Sequence, residues 1–191
     1  MKILKLILSA ILFLGLNPIL VAQIITNPII VDEYKSINDF GFDKYSNDTI
    51  LKLNNKGMFN ANSNSFTKQY KTRVTELYKN AVVNFAGKYT IVYWNAGMGT
   101  NQGTLIDYSN GQAYDIPIND ETAFNSCFDE NKSIKFENIF GNQIVFFKKE
   151  SNLLVIRSCD QYNYDGIIFR FYIWNEGTKK FTLDKIEKNV F

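Results

Sequence analysis

The chain has 191 residues, a formal net charge of +2 and no histidine. Without histidine there is no Ser-His-Asp or Cys-His nucleophile and no His-ligated zinc, and two cysteines cannot build a Cys₄ site. Carboxylate chemistry, an oxygen-ligated cation and binding without chemistry remain open.

The first segment carries an export signal. Lys2 and Lys5 form a basic end, an apolar run from Leu6 to Leu16 follows, Pro18 breaks it, and Leu20-Val21-Ala22 closes it with a small residue. That layout is a secretory signal peptide. The run is shorter than the roughly 20 apolar residues a spanning helix needs, and no cysteine near the cut offers a lipid anchor. The expected organisation is a signal peptide over residues 1–22 and one β-rich domain over 23–191, in an exported protein that is periplasmic or secreted. Cleavage removes Lys2 and Lys5, which leaves as many basic as acidic residues. A neutral chain with no dense Lys/Arg run excludes nucleic acid as the expected partner.

The next elements are weak. Ile29-Ile30-Val31 reads as a short strand. The stretch from Asp39 to Asn62 is rich in Asn, Asp, Ser and Gly and reads as irregular surface, with a short strand around Thr49–Leu53. From Ser65 to Asn80 the pattern is helical. Phe66, Tyr70, Val74, Leu77, Tyr78 and Ala81 recur at spacings of three and four. Asn64 or Ser65 can cap the start, and Lys79 suits the negative end.

Strands follow at Lys88–Trp94, Gly103–Asp107 and Gln112–Ile116, then at Ile134–Phe136, Gln143–Lys148, Leu153–Arg157, Ile167–Trp174 and Phe181–Ile186. Hairpin-length connections such as Asn175-Glu176-Gly177-Thr178 predict antiparallel pairing. The expected fold is α+β: mainly antiparallel β, about eight strands in a meander or sandwich, with one amphipathic helix packed on the sheet. Aromatic residues make up 15% of the chain. Strands favour them; a sugar-binding surface of stacked rings is the alternative.

The cluster Gly97, Gly99 and Gly103 invites a phosphate-loop reading, but such a loop joins a strand to a helix. Here it joins two strands, its spacing is not G-x-G-x-x-G, and no Lys-Ser or Lys-Thr follows. The residues predict a hairpin connection. In the same region Thr72-Arg73, Asn84-Phe85-Ala86-Gly87-Lys88-Tyr89, Trp94, Asp107, Gly111 and Tyr114-Asp115-Ile116-Pro117 occur in order. This pattern resembles an uncharacterised family of exported bacterial proteins. The resemblance implies export and this fold and no established activity. Members commonly carry two cysteines after the Trp, where this chain has Asn95 to Asn101 without any.

Four sites stand out. Extrapolating at about 100° per residue places Arg73 some 20° from Phe66 on the helix, at the rim of the buried stripe. There it would lock helix to sheet through an ion pair or carbonyl clamp, or bind an anion. Asp107 opens Asp-Tyr-Ser-Asn-Gly and is expected to bond its own turn. Asp107, Asp115, Asp120 and Asp165 supply the carboxylates for an alternative function, a hydrolase acting on cell-envelope sugar. Cys127 and Cys159 are candidates for a disulfide, since an oxidising compartment favours pairing. Asp129-Glu130-Asn131 begins like a calcium loop, but Ile134 and Phe140 stand where Gly and Glu are required. No metal or cofactor is expected. The leading expectation is a non-enzymatic exported domain that binds a protein partner or small ligand.

Overall fold

The computed structural model describes residues 29–31, 37–47, 55–97, 100–119, 144–159 and 167–189. The signal-peptide region, the strands expected around Thr49–Leu53 and Ile134–Phe136, the Asp129 loop, Asp120, Asp165 and Cys127 lie outside them.

The strands are β1 (Ile29–Val31), β2 (Tyr89–Gly97), β3 (Thr100–Asp107), β4 (Ala113–Tyr114), β5 (Val145–Phe147), β6 (Leu153–Cys159), β7 (Ile167–Asn175) and β8 (Lys180–Asn189). They form a five-stranded sheet, β1-β8-β7-β6-β5, and a three-stranded sheet, β2-β3-β4. Pairing is antiparallel throughout except for β1, which runs parallel to β8 through Ile29 and Glu187. The chain is therefore β-rich and mostly antiparallel, with a few helical segments.

Alternation along β6 explains the layering. Leu154 and Ile156 face the three-stranded sheet and meet Tyr89, Ile91 and Leu105 with Trp174. Leu153 and Val155 face the other way, onto Phe146, Phe169 and Phe171. The apolar run is unbroken because this sheet is covered on both faces. Its outer cover is a pair of 3₁₀ turns, Ile37–Phe40 and Phe42–Tyr45, which press Phe40 and Phe42 onto Phe146, Phe169 and Phe171. Phe146, Phe169 and Phe171 are each fully buried, a contribution of about 1.5–3 kcal/mol apiece.

The three-stranded sheet is likewise covered twice. Val92, Ile106 and Ala113 turn away from the first core and pack under Val74 and Tyr78 of a helix. Four layers result: 3₁₀ turns, five strands, three strands, helix.

The single helix expected over Ser65–Asn80 is two. α1 (Ser65–Gln69) and α2 (Lys71–Lys79) meet at Tyr70, which has φ −102° and ψ 23°. The break lets Phe66 and Tyr70 both lie against Trp94, with ring centroids 6.0 and 5.6 Å away. Asn64 is the cap: its Oδ1 accepts from Thr67 N at 2.8 Å while Thr67 Oγ1 accepts from Asn64 N at 3.3 Å, worth about 1 kcal/mol. At the far end Lys56 reaches in from another segment. Its ammonium donates to the carbonyls of Tyr78, Lys79 and Ala81 and lies over the Tyr78 ring. A cation there complements the negative end of the helix dipole.

The 55–60 segment that carries Lys56 crosses the turn after β3 at very close range. Gly57 N donates to Tyr108 O at 2.7 Å, and Asn60 N to Gly111 O at 2.9 Å. Gly111 has φ +75°, and a Cβ on it would stand 1.9 Å from Met58 O. Only glycine fits. Among the described residues no helix is long and apolar enough to cross a membrane.

Candidate functional site

Where the two sheets meet, five polar side chains close into one network. Lys88 precedes β2 and Tyr89 opens it; Asp107, the last residue of β3, is the register partner of Tyr89. From the opposite sheet, Glu176 and Lys179 belong to the hairpin between β7 and β8. Lys88 Nζ lies 3.1 Å from Asp107 Oδ2 and 3.1 Å from Glu176 Oε1. The Tyr89 hydroxyl donates to Glu176 Oε2 at 2.5 Å and accepts from Lys179 Nζ at 2.9 Å. Trp174 Nε1 donates to the same Glu176 oxygen at 3.1 Å, and Lys179 also pairs with Oε1.

The electrostatics follow from this geometry. Burial alone would raise the Glu176 carboxyl, but donors on Lys179, Tyr89, Trp174 and Lys88 outweigh it and bring it down to about 2. Burial, then the Glu176 carboxylate, pushes the Tyr89 phenol far above its ordinary range. Burial opposes the charge on Lys88, yet Glu176 and Asp107 raise it overall. Glu176 and Lys88 are held in their charged forms and the Tyr89 phenol in its neutral one, and every member has its counterpart.

Asp107 does make the turn bond its sequence predicts. Its Oδ1 accepts from Ser109 N at 3.0 Å and from Ser109 Oγ at 2.5 Å. It is 2% exposed. A glycosidase pair needs one carboxyl held protonated and space for a nucleophile or water between the two. Glu176 is ionised, and the Lys88 ammonium occupies the space between it and Asp107. Asp115 is exposed and accepts from Asn64 Nδ2 at 3.0 Å.

Arg73 is a correction. It is exposed, and no hydrogen bond or ion pair joins it to another described residue. The extrapolation from Phe66 runs across the break at Tyr70, which resets the helical phase. Within α2 the buried positions are Val74 and Tyr78, and Arg73 is one residue, about 100°, off that line. The glycine segment is a hairpin connection: β2 and β3 pair through Asn95 and Asn101, with Gly97 at φ +95°. Cys159 ends β6 opposite Ile167; its side chain and Cys127 lie outside the described residues.

A groove of about 570 Å³ opens beside the network. One wall is Ser63, Asn64 and the stretch from Gln112 to Pro117; the other is Tyr172 with Lys179, Lys180 and Phe181. Tyr114 packs its ring on Tyr89 and Trp174 at 6.2 and 5.5 Å, while its hydroxyl makes no hydrogen bond among the described residues. Lys180 is exposed and has no ion pair among them. Sequence reasoning missed Glu176, Lys179, Lys180 and Phe181. The one available signal was the Asn-Glu-Gly-Thr turn directly after a Trp, which sets a Glu two residues from an indole N–H that needs an acceptor when buried. Compared with known protein families, curated proteins and solved structures, the chain matches none.

Proposed function

We propose that this is an exported, non-enzymatic binding domain whose ligand site is the groove between the two sheets. The observation that carries the reading is the contrast in polar satisfaction. The ionisable cluster is saturated internally, whereas the adjoining groove presents aromatic walls with unused donors and acceptors. Its volume falls in the range of about 300–1,000 Å³ typical of small-ligand sites. Export rests on the residue 1–22 signal read from the sequence. The Cys127–Cys159 bridge and the resemblance to exported bacterial proteins belong to the same proposal. Of the carboxylates the alternative, hydrolysis of cell-envelope sugar, calls on, Asp107 is engaged by Lys88 and Ser109 and Asp115 by Asn64, while Asp120 and Asp165 lie outside the described residues.

Backbone hydrogen exchange tests the site. Adding a soluble cell-envelope extract should slow exchange at Ala113–Asp115 and at Lys179–Phe181 and leave α2 unchanged, and the ligand should be recovered chemically intact. Protection elsewhere with none in the groove, or a cleaved ligand, would contradict the proposal.

A further inference from the structure

The geometry points to a neutral oligosaccharide as the occupant of the groove; the inference rests on the groove being the binding site. Four polar groups on its walls keep capacity that no described residue uses. Asp115 accepts one bond on Oδ1 and leaves Oδ2 open. Gln112 accepts on Oε1 from Asn60 at 3.3 Å, which leaves its amide N–H groups. The Tyr114 hydroxyl and the Lys180 ammonium complete the set. Around them stand the rings of Tyr114, Tyr172 and Phe181.

Other ligand classes fit worse. A peptide adding to the β4 edge needs free backbone groups, but Ala113 N already donates to Ser63 Oγ at 2.9 Å. A phosphate-like anion needs several unneutralised cations, and among the described lining residues Lys180 is the one without an ion pair. Lys179 is bound to Glu176, and Asp115 faces the groove as a carboxylate. A purely apolar ligand would strand the charges of Asp115 and Lys180 against it. A pyranose satisfies both halves of the lining. Its C–H face covers aromatic ring surface, and its hydroxyls donate to a carboxylate and accept from an amine, an amide and a phenol. The open ends suit a chain of sugars rather than a single ring.

The test is a calorimetric and NMR titration of the protein with chitohexaose, cellohexaose and maltohexaose, set beside a mixed-sequence hexapeptide and inorganic pyrophosphate. Saturable binding of at least one oligosaccharide is expected, with shifts at Tyr114, Asp115, Lys180 and Phe181. Asp115→Ala and Lys180→Ala should each weaken it about tenfold, and Tyr114→Phe about fivefold, the scale of one hydrogen bond to a charged or a neutral group. All three should melt like the parent, and Arg73→Ala should bind like the parent. Groove shifts from the hexapeptide or pyrophosphate alone would overturn the sugar assignment while leaving the groove as the site. No shift from any oligosaccharide, or sugar binding unaffected by the three variants, would also overturn it. Absence of groove protection in the envelope-extract exchange experiment is the separate failure of the site itself.

Discussion

The network around Tyr89 and the groove beside it adjoin and share Lys179, yet they are chemically opposite. In the network, Glu176 meets four donors and the Tyr89 hydroxyl both donates and accepts. In the groove, Tyr114 presents a hydroxyl with no described partner, although its ring packs on the same Tyr89 and Trp174. Proximity of charges is thus a poor guide to a site. A saturated polar network joins one sheet to the other; unused polar capacity beside half-buried ring surface is what a ligand can exploit. Substitutions in the first region should cost stability, and substitutions in the second should cost binding alone.

The largest effect is expected at Asp107. Asp107→Asn removes the ion pair with Lys88 and weakens the turn through Ser109. Unfolding in urea should show a loss of about 2–4 kcal/mol, slightly below the range for fully buried pairs because Lys88 reaches water. Tyr89→Phe keeps the ring in its core and deletes only the hydroxyl between Glu176 and Lys179, at about 1–2 kcal/mol. If Asp107→Asn unfolds at the parent's midpoint, the Lys88 pair and the Ser109 turn at Asp107 do not support the network.

A smaller effect separates the regions by pH. The folded Glu176 carboxyl lies near 2, below its ordinary 4.5. As pH falls the unfolded chain therefore takes up the proton first, so the stability this group contributes is whole above about pH 4.5 and lost as pH falls toward 2. Because the side chain is 54% exposed, the amount is about 1 kcal/mol after screening by solvent. The acid limb of a stability–pH curve should be shallower in Glu176→Gln than in the parent. An unchanged limb would mean that the donors around Glu176 do not hold it ionised.

The smallest effect is at Arg73. An exposed guanidinium with no described partner should tolerate Arg73→Ala within about 0.5 kcal/mol by the same urea measurement. A loss of several kcal/mol would restore the helix-to-sheet lock that the sequence suggested.

What was legible in the sequence was local. Runs of β-branched and aromatic residues from Leu153 and from Ile167 placed two central strands to within a residue or two, and Asp-Tyr-Ser-Asn-Gly gave the turn bond of Asp107. Asn64 announced a helix start because its cap is satisfied three residues on. The rest is long-range. Lys88, Asp107 and Glu176 are widely separated in the chain and converge only when the two sheets face each other, which no periodicity records. Lys56 caps α2 from outside the helix. The phase of α2 could not be read past Tyr70, because Trp94, far along the chain, draws Phe66 and Tyr70 onto one surface. The groove is invisible for the same reason: its walls, near Tyr114 and near Lys180, belong to different sheets.

The most direct measurement is a two-column comparison of Asp107→Asn and Lys180→Ala, each assayed for urea stability and for affinity toward the tightest oligosaccharide. Asp107→Asn should lose about 2–4 kcal/mol of stability, whereas Lys180→Ala should keep the parent's midpoint and lose about tenfold in affinity. If Lys180→Ala destabilises the fold as Asp107→Asn does, or leaves affinity untouched, the division between a saturated junction and an open site is contradicted.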